Sequence, residues 1–291
     1  MRRSMSANEQ WDIVSGVGIT ALAVAVARAR ESRRDDRLID DPYAEPLIRA
    51  AQPPVPMSGD GGEAGALWHE MTDYVSVRSR FFDEWFARAC AAGTRQAVVL
   101  ASGLDTRAFR LEWPEGFRVF EIDQPKVLEF KDGTLAAEGV RASCERHAVA
   151  VDLRDDWASA LVKAGFDPAL PTAWLAEGLL PYLPPEAEAN LLATVHDLSA
   201  RGSRIAIESI ALARSALLGA DLDDTAREWG IDLKGLFSLE DRPDPGDVLA
   251  QRGWRVHRDP VGDLAAGFRR PLSDRAQQLG AAGEMVTAQR D

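Results

Sequence analysis

The chemistry-bearing part of this chain is the segment Ala101-Ser102-Gly103-Leu104-Asp105-Thr106-Arg107, which follows the apolar run Gln96 to Ala101. Small residues at a strand end let the backbone come close to a ligand. A second apolar run, Phe117 to Ile122, ends in Asp123, twenty positions after Gly103. At that spacing a carboxylate reaches the ribose hydroxyls of an adenosine cofactor. A third run, Ala148 to Val151, ends in Asp152-Leu153, where a carboxylate can accept a hydrogen bond from the adenine amino group. The loop reads AxG rather than GxGxxG. A pyrophosphate calls for backbone N–H groups at a helix N-terminus. Here the loop carries Asp105, which repels phosphate and tolerates the ammonium and sulfonium charges of S-adenosylmethionine (SAM). The balance favours SAM over NAD(P), and an NAD(P)-dependent oxidoreductase is the main rival class. A non-catalytic SAM-binding module is a second, because these residues report binding and not turnover.

Other chemistries have little support. Cys90 and Cys144 show no CxxC spacing, and His69, His147, His196 and His257 share no ligand spacing. No metal site or disulfide framework is therefore expected, and free thiols suit a cytoplasmic protein. The net charge of −12 disfavours nucleic acid and anionic membrane surfaces as partners. Ile13 to Ala27 is apolar but shorter than the roughly 20 residues needed to span a bilayer. Acid before it and arginines after it reverse the charge order of a signal peptide, so it reads as a core-facing helix.

The elements that must position these residues follow from rhythm. Residues 11–34 are Ala-rich and free of proline, with a basic end, as a helix prefers. Asp41-Pro42 marks a turn or a new helix start. Gln52 to Gly65, rich in Pro and Gly, reads as a loop. In 67–92, Tyr74, Val77, Phe81, Phe82, Trp85 and Phe86 recur at helical steps, and the aromatic stripe is expected in the core. From Gln96 onward, strand-like runs at 96–101, 117–122, 148–151, 171–176, 204–208 and 254–257 alternate with helical stretches at 125–138, 157–164, 185–200 and 244–252. Such alternation predicts an α/β fold with a mostly parallel sheet covered on both faces. Residues 211–240 break it and would lie past a strand end, on the ligand side.

Several motifs together resemble one family. Val98 to Leu111 with Phe120 to Pro125 is similar to the leucine carboxyl methyltransferase family, and more closely to its bacterial branch of SAM-dependent O-methyltransferases. Trp11 to Arg28, Asp40 to Ala44, Tyr74 to Phe82 and Ala176 to Leu183 match that branch in the same order. The resemblance covers about residues 11–210. It implies a Rossmann-like class I methyltransferase: a mostly parallel seven-stranded sheet with helices on both faces, in one domain. Residues 1–92 would form a helical cap, 93–291 the core, and 211–240 a substrate-side insertion. It further implies that Ala101 and Gly103 line the methionine part of SAM, Ala101 standing where founding members carry Gly. Asp123 would bind the ribose, Asp152 and Leu153 the adenine, and Glu177 would face the cofactor. An arginine of Tyr74-Val-Ser-Val-Arg-Ser-Arg80 would pair with the SAM carboxylate; Arg78 is the first choice, and the register leaves Arg80 open.

Each residue also has a purely structural reading. Asp123 and Asp152 suit helix caps, Glu177 a buried ion pair, Arg78 a solvated helix face, and Tyr182 packing. No His–Asp or Ser–His constellation is visible. A carboxylate acceptor, already ionised at neutral pH, needs no base. The expectation is an O-methyltransferase for a carboxylate of a small molecule, polyketide or peptide, as in secondary metabolism, without a catalytic nucleophile. A phenol or alcohol acceptor is the alternative, and Tyr182 and His69 are its candidates for positioning or deprotonating the acceptor.

Overall fold

The computed structural model describes residues 16–53, 62–209, 236–238, 240–273 and 283–291. The start of the first expected helix (11–15), most of the Pro/Gly-rich loop and nearly all of 211–240 lie outside them.

Three helices come first: α1 (Gly16–Ser32), α2 (Ala44–Ala51) and α3 (Gly62–Ala91). The sequence rhythm starts α3 too late. Gly62 to Gly65 already belong to it, although glycine is a poor helix former. Ile19, Leu22, Ala23 and Val26 of α1 pack with Leu47 and Ala51 of α2, Trp68 of α3 and Leu104. The apolar stretch near the N-terminus is thus a core helix. Among the described residues no helix is long and apolar enough to cross a membrane.

The sheet has seven strands: β1 (Gln96–Leu100), β2 (Arg118–Asp123), β3 (Glu145–Ala150), β4 (Thr172–Ala176), β5 (Arg204–Ser209), β6 (Trp254–Pro260) and β7 (Glu284–Arg290). Their order is β3-β2-β1-β4-β5-β7-β6, with β7 antiparallel to both neighbours. β3 starts three residues before its apolar run, because Glu145, Arg146 and His147 pair with Arg118, Val119 and Phe120. As an edge strand it carries polar side chains that an apolar count misses. The rhythm also misses β7, where only Met285, Val286 and Ala288 are buried apolar residues.

The central strands are apolar on both sides because both are covered. Val98 and Leu100 face a layer containing Trp157 and Leu161 of α6 (Trp157–Lys163), Leu191 and Val195 of α7 (Pro185–Asp197) and Leu249 of α8 (Pro245–Gln251). Ala97 and Val99 face the other way, onto Phe81, Phe82, Trp85 and Phe86 of α3 and Val261 and Ala265 of α9 (Val261–Gly267). The aromatic stripe is core. Trp174 of β4 is fully buried, and truncating it to Ala would cost about 3–5 kcal/mol.

The chain winds outward from β1 to β3, then returns to place β4 beside β1. Strand order reverses there. In open α/β sheets the ligand crevice lies beyond the carboxyl ends of the strands at such a reversal. Every motif singled out at a strand end reaches this edge: Ala101 to Arg107 after β1, Asp123 at the end of β2, Asp152 after β3 and Glu177 after β4.

Candidate active site at the strand ends

The loop after β1 turns sharply. Ala101 and Gly103 both adopt left-handed backbone, with φ of 49° and 48°. For alanine that conformation costs about 1–2 kcal/mol. The Asp105 N–H donates to Ser102 O at 2.8 Å, closing the turn ahead of α4 (Arg107–Arg110). Beneath it Lys131 of α5 (Pro125–Ala137), fully buried, pairs with Glu121 at 2.7 Å and donates to Asp105 O at 3.2 Å. Above it lies α1: a Cβ at Gly103 would meet Ala21 Cβ at 3.7 Å. Arg28 of α1 donates to Leu104 O and to Asp41, which also accepts from Thr106. The loop is therefore clamped from both sides.

Asp123 accepts from Gly103 N at 2.6 Å and from Gln124 N at 2.7 Å. Burial raises its pKa against these two donors. Asp152 accepts from the backbone N and the guanidinium of Arg154, which lowers its pKa. It does not cap α6; Asp156 does, accepting from Ser159 N at 3.1 Å. Leu153 is half-buried against the β3 side of the core.

The other half of the edge is a buried ionic network. Arg78 of α3 contacts Glu177 Oε1 through Nε at 2.7 Å and donates from Nη1 to both oxygens of Glu208 at 3.0 Å. Burial works against its charge, but the two carboxylates outweigh this and raise its pKa. Arg107 binds Asp83, Asp105 and the second oxygen of Glu177, at 2.7, 2.6 and 2.6 Å. Arg110 adds two bonds to Asp83. Burial disfavours the charge on Asp105, yet Arg107 beside it holds its pKa down at about 2.

Asp105 is therefore not the free negative charge that the loop sequence suggests. Its carboxylate is matched by Arg107, so the charge argument against a pyrophosphate loses its force. Glu177 is a half-buried ion-pair member, and Arg78 lies on a buried helix face rather than a solvated one. Arg80, two residues on, points elsewhere: it pairs with Glu84 at 2.7 Å and is about half exposed. His69 is 64% exposed, with Nε2 3.5 Å from Asp73 Oδ2. Tyr182, in the 3-10 turn after β4, donates to Thr20 Oγ1 of α1 at 3.0 Å and packs on Phe237. Sequence rhythm gives no hint of Asp83 or Glu208, and it shows Tyr74 and Arg107 without the partners they take here. Their partners are distant in the chain, Tyr74 and Glu208 by 134 positions.

The pattern of the family described as Leucine carboxyl methyltransferase matches residues 21–196. A Mycolicibacterium gilvum protein, provisionally named an S-adenosyl-L-methionine-dependent methyltransferase, is 47% identical over 90% of this chain and 92% of its own length. One of the same provisional name from Mycobacterium avium is 44% identical over 94% of both. Among solved structures, a DUF574 family protein from Streptomyces avermitilis superposes with a TM-score of 0.55 at 16% identity, covering 94% of this chain and 97% of its own. A provisionally designated methyltransferase from Thermobifida fusca gives 0.53 at 16% identity, covering 93% and 94%. At that identity the two structures speak for the fold alone. The chain belongs to the leucine carboxyl methyltransferase family and is a methyltransferase that takes its methyl group from SAM.

Proposed function

We propose that the protein is an O-methyltransferase that esterifies a carboxylate of a small molecule, polyketide or peptide. The observation that carries this reading is the state of the hydroxyls near the strand ends. Burial pushes the Tyr74 and Tyr182 hydroxyls above their ordinary pKa, and each already donates a hydrogen bond, to Glu208 and to Thr20. Groups held as donors are poor proton acceptors. A carboxylate acceptor needs none, since it is ionised at neutral pH.

The strand ends fit SAM in three respects. Glycine at 103 keeps that side of the loop open beneath Ala21. Asp123 presents a half-buried carboxylate bonded, among the described residues, only to backbone N–H groups. Arg78 keeps Nη2 without a hydrogen bond among the described residues. In this reading Ala101 and Gly103 line the methionine part, Asp123 takes the ribose, Asp152 and Leu153 the adenine, and Arg78 the carboxylate, with Glu177 holding Arg78 in place. When bound, SAM would supply a sulfonium methyl to the acceptor oxygen in line, the O–C bond forming as the C–S bond breaks and its electron pair staying on the departing thioether sulfur. The residues act by alignment and by excluding water, not by forming a covalent intermediate.

The acceptor enters between the N-terminal helical cap (1–92) and segment 211–240, most of which lies outside the described residues. Thr20, Tyr182 and Phe237 are described side chains on that side. Transfer of tritium from labelled SAM to a panel of carboxylic acids, phenols and peptides tests the proposal. The expected product is base-labile, as an ester is. A base-stable ether, with most activity lost in Tyr182→Phe, would reverse the assignment to a phenol or alcohol acceptor.

A further inference from the structure

Arg78 lies between carboxylates delivered by two strands, Glu177 following β4 and Glu208 in β5. Nothing in the sequence motifs draws attention to Glu208, yet it is the more firmly held of the two with respect to this arginine. Gly178 N donates to its Oε2 at 2.7 Å, and the Tyr74 hydroxyl donates to its Oε1 at 2.5 Å. Gly178 has a φ of 62°, the left-handed conformation that turns its N–H toward that oxygen. Glu208 is thus fixed by a backbone group and a buried phenol. Arg78 Nη1 then lies 3.0 Å from both of its oxygens.

The remaining nitrogens of Arg78 are used differently. Nε lies 2.7 Å from Glu177 Oε1, but its N–H is poorly aligned with that oxygen and makes no hydrogen bond. Nη2 makes no hydrogen bond among the described residues. A planar guanidinium anchored at Nη1, with Nη2 unused, has a donor left for a second planar anion. An arginine without that anchor must give up its rotamer freedom when it binds.

We propose that Glu208 is a positioning residue that aims the Arg78 guanidinium at the carboxylate of the methyl donor's amino-acid end. This rests on the reading of Arg78 as the carboxylate anchor. Two effects of Glu208 oppose each other. Its negative charge repels the incoming carboxylate, and its hydrogen bonds orient the arginine that receives it. The repulsion is largely matched by the adjacent guanidinium, so orientation wins.

The test compares two probes by calorimetry on the full chain: S-adenosylhomocysteine, and 5′-methylthioadenosine, which lacks the amino-acid end. Glu208→Ala is expected to weaken S-adenosylhomocysteine by about tenfold, the scale of one charge-assisted hydrogen bond, and to leave methylthioadenosine unchanged. Glu208→Gln keeps an acceptor oxygen and should fall between Ala and wild type. Arg78→Ala should match Glu208→Ala, and the double variant should be no weaker than Arg78→Ala alone. Tyr74→Phe removes only a tether of Glu208 and should show the same pattern at about threefold. That milder variant keeps the test open if Glu208→Ala does not fold. Tighter binding in Glu208→Ala or Glu208→Gln, or equal loss for both probes, would overturn the proposal. So would full affinity with turnover abolished, the signature of a general base. If Arg78→Ala weakens S-adenosylhomocysteine and Glu208→Ala does not, the positioning role fails and the anchor stands. If Arg78→Ala has no effect, the anchor itself fails.

Discussion

The two halves of the strand-end edge are built on opposite plans. On the β2–β3 side, Asp123 is held by backbone N–H groups and Asp152 by Arg154, its neighbour two residues on. Asp152 is set by its own stretch of chain, and Asp123 by Gln124 N next to it and Gly103 N from the neighbouring loop. On the β1–β4–β5 side, Arg78 and Arg107 join α3, the first loop, β4 and β5 through Asp83, Asp105, Glu177 and Glu208. There no side chain is placed without several others. The first half can lose a member and keep its shape. The second holds the cap to the sheet, so in the proposed reading of Arg78 binding and stability are coupled in it.

The largest test of that contrast is Arg107→Ala. It leaves three carboxylates without their shared partner in a buried site, and the expected loss is about 3–5 kcal/mol in urea unfolding, with activity abolished. Arg154→Ala on the other side removes an exposed partner of Asp152 and should cost under about 1 kcal/mol. Similar losses for the two would erase the distinction. Next is Asp123→Ala: S-adenosylhomocysteine affinity should fall by about tenfold to a hundredfold, while thermal stability stays close to wild type. A loss of stability as large as the loss of binding would place Asp123 with the coupled half.

Acid unfolding gives a third test. Asp105 is held at about 2 against an ordinary value of 3.8, so its ionised form is favoured by folding. Its contribution is therefore present above pH 4 and lost as pH falls from about 4 toward 2, a change of about 2 kcal/mol. Stability measured across that window should drop less steeply in Asp105→Asn; an identical slope would show that Arg107 does not hold Asp105 as the geometry indicates. The smallest effect is expected at Ala101. Its φ of 49° penalises a side chain, so Ala101→Gly should gain about 1 kcal/mol in unfolding free energy. A loss instead would mean that packing of the Ala101 methyl against the β1 core outweighs the strained backbone.

The legibility of the two halves follows the same division. Ala101, Gly103, Asp123 and Asp152 close apolar runs, so strand rhythm alone sets them at one edge of a parallel sheet, and the structure has them there. The 74–80 helix segment leaves Arg78 and Arg80 equivalent, because helical rhythm does not say which face meets the sheet at its last turn before the core stripe. Packing of Val77, Phe81 and Phe82 against the strands turns Arg78 inward and Arg80 toward Glu84 and solvent. Asp105 misleads for the same reason: charge is visible in a sequence and charge pairing is not.

What the amino-acid order determines by itself is the set of local periodicities. Runs of apolar residues between turns dictate most of the parallel α/β sheet, and several ordered motifs point to the methyltransferase family. The tertiary structure alone decided the partners. Tyr74, Arg78, Gly178 and Glu208 meet only because α3 crosses over β5 and the strand order reverses at β1 and β4. A buried charge is tolerated only where opposite charges surround it. Those neighbours come from segments more than a hundred residues apart in the chain, and no local pattern encodes them.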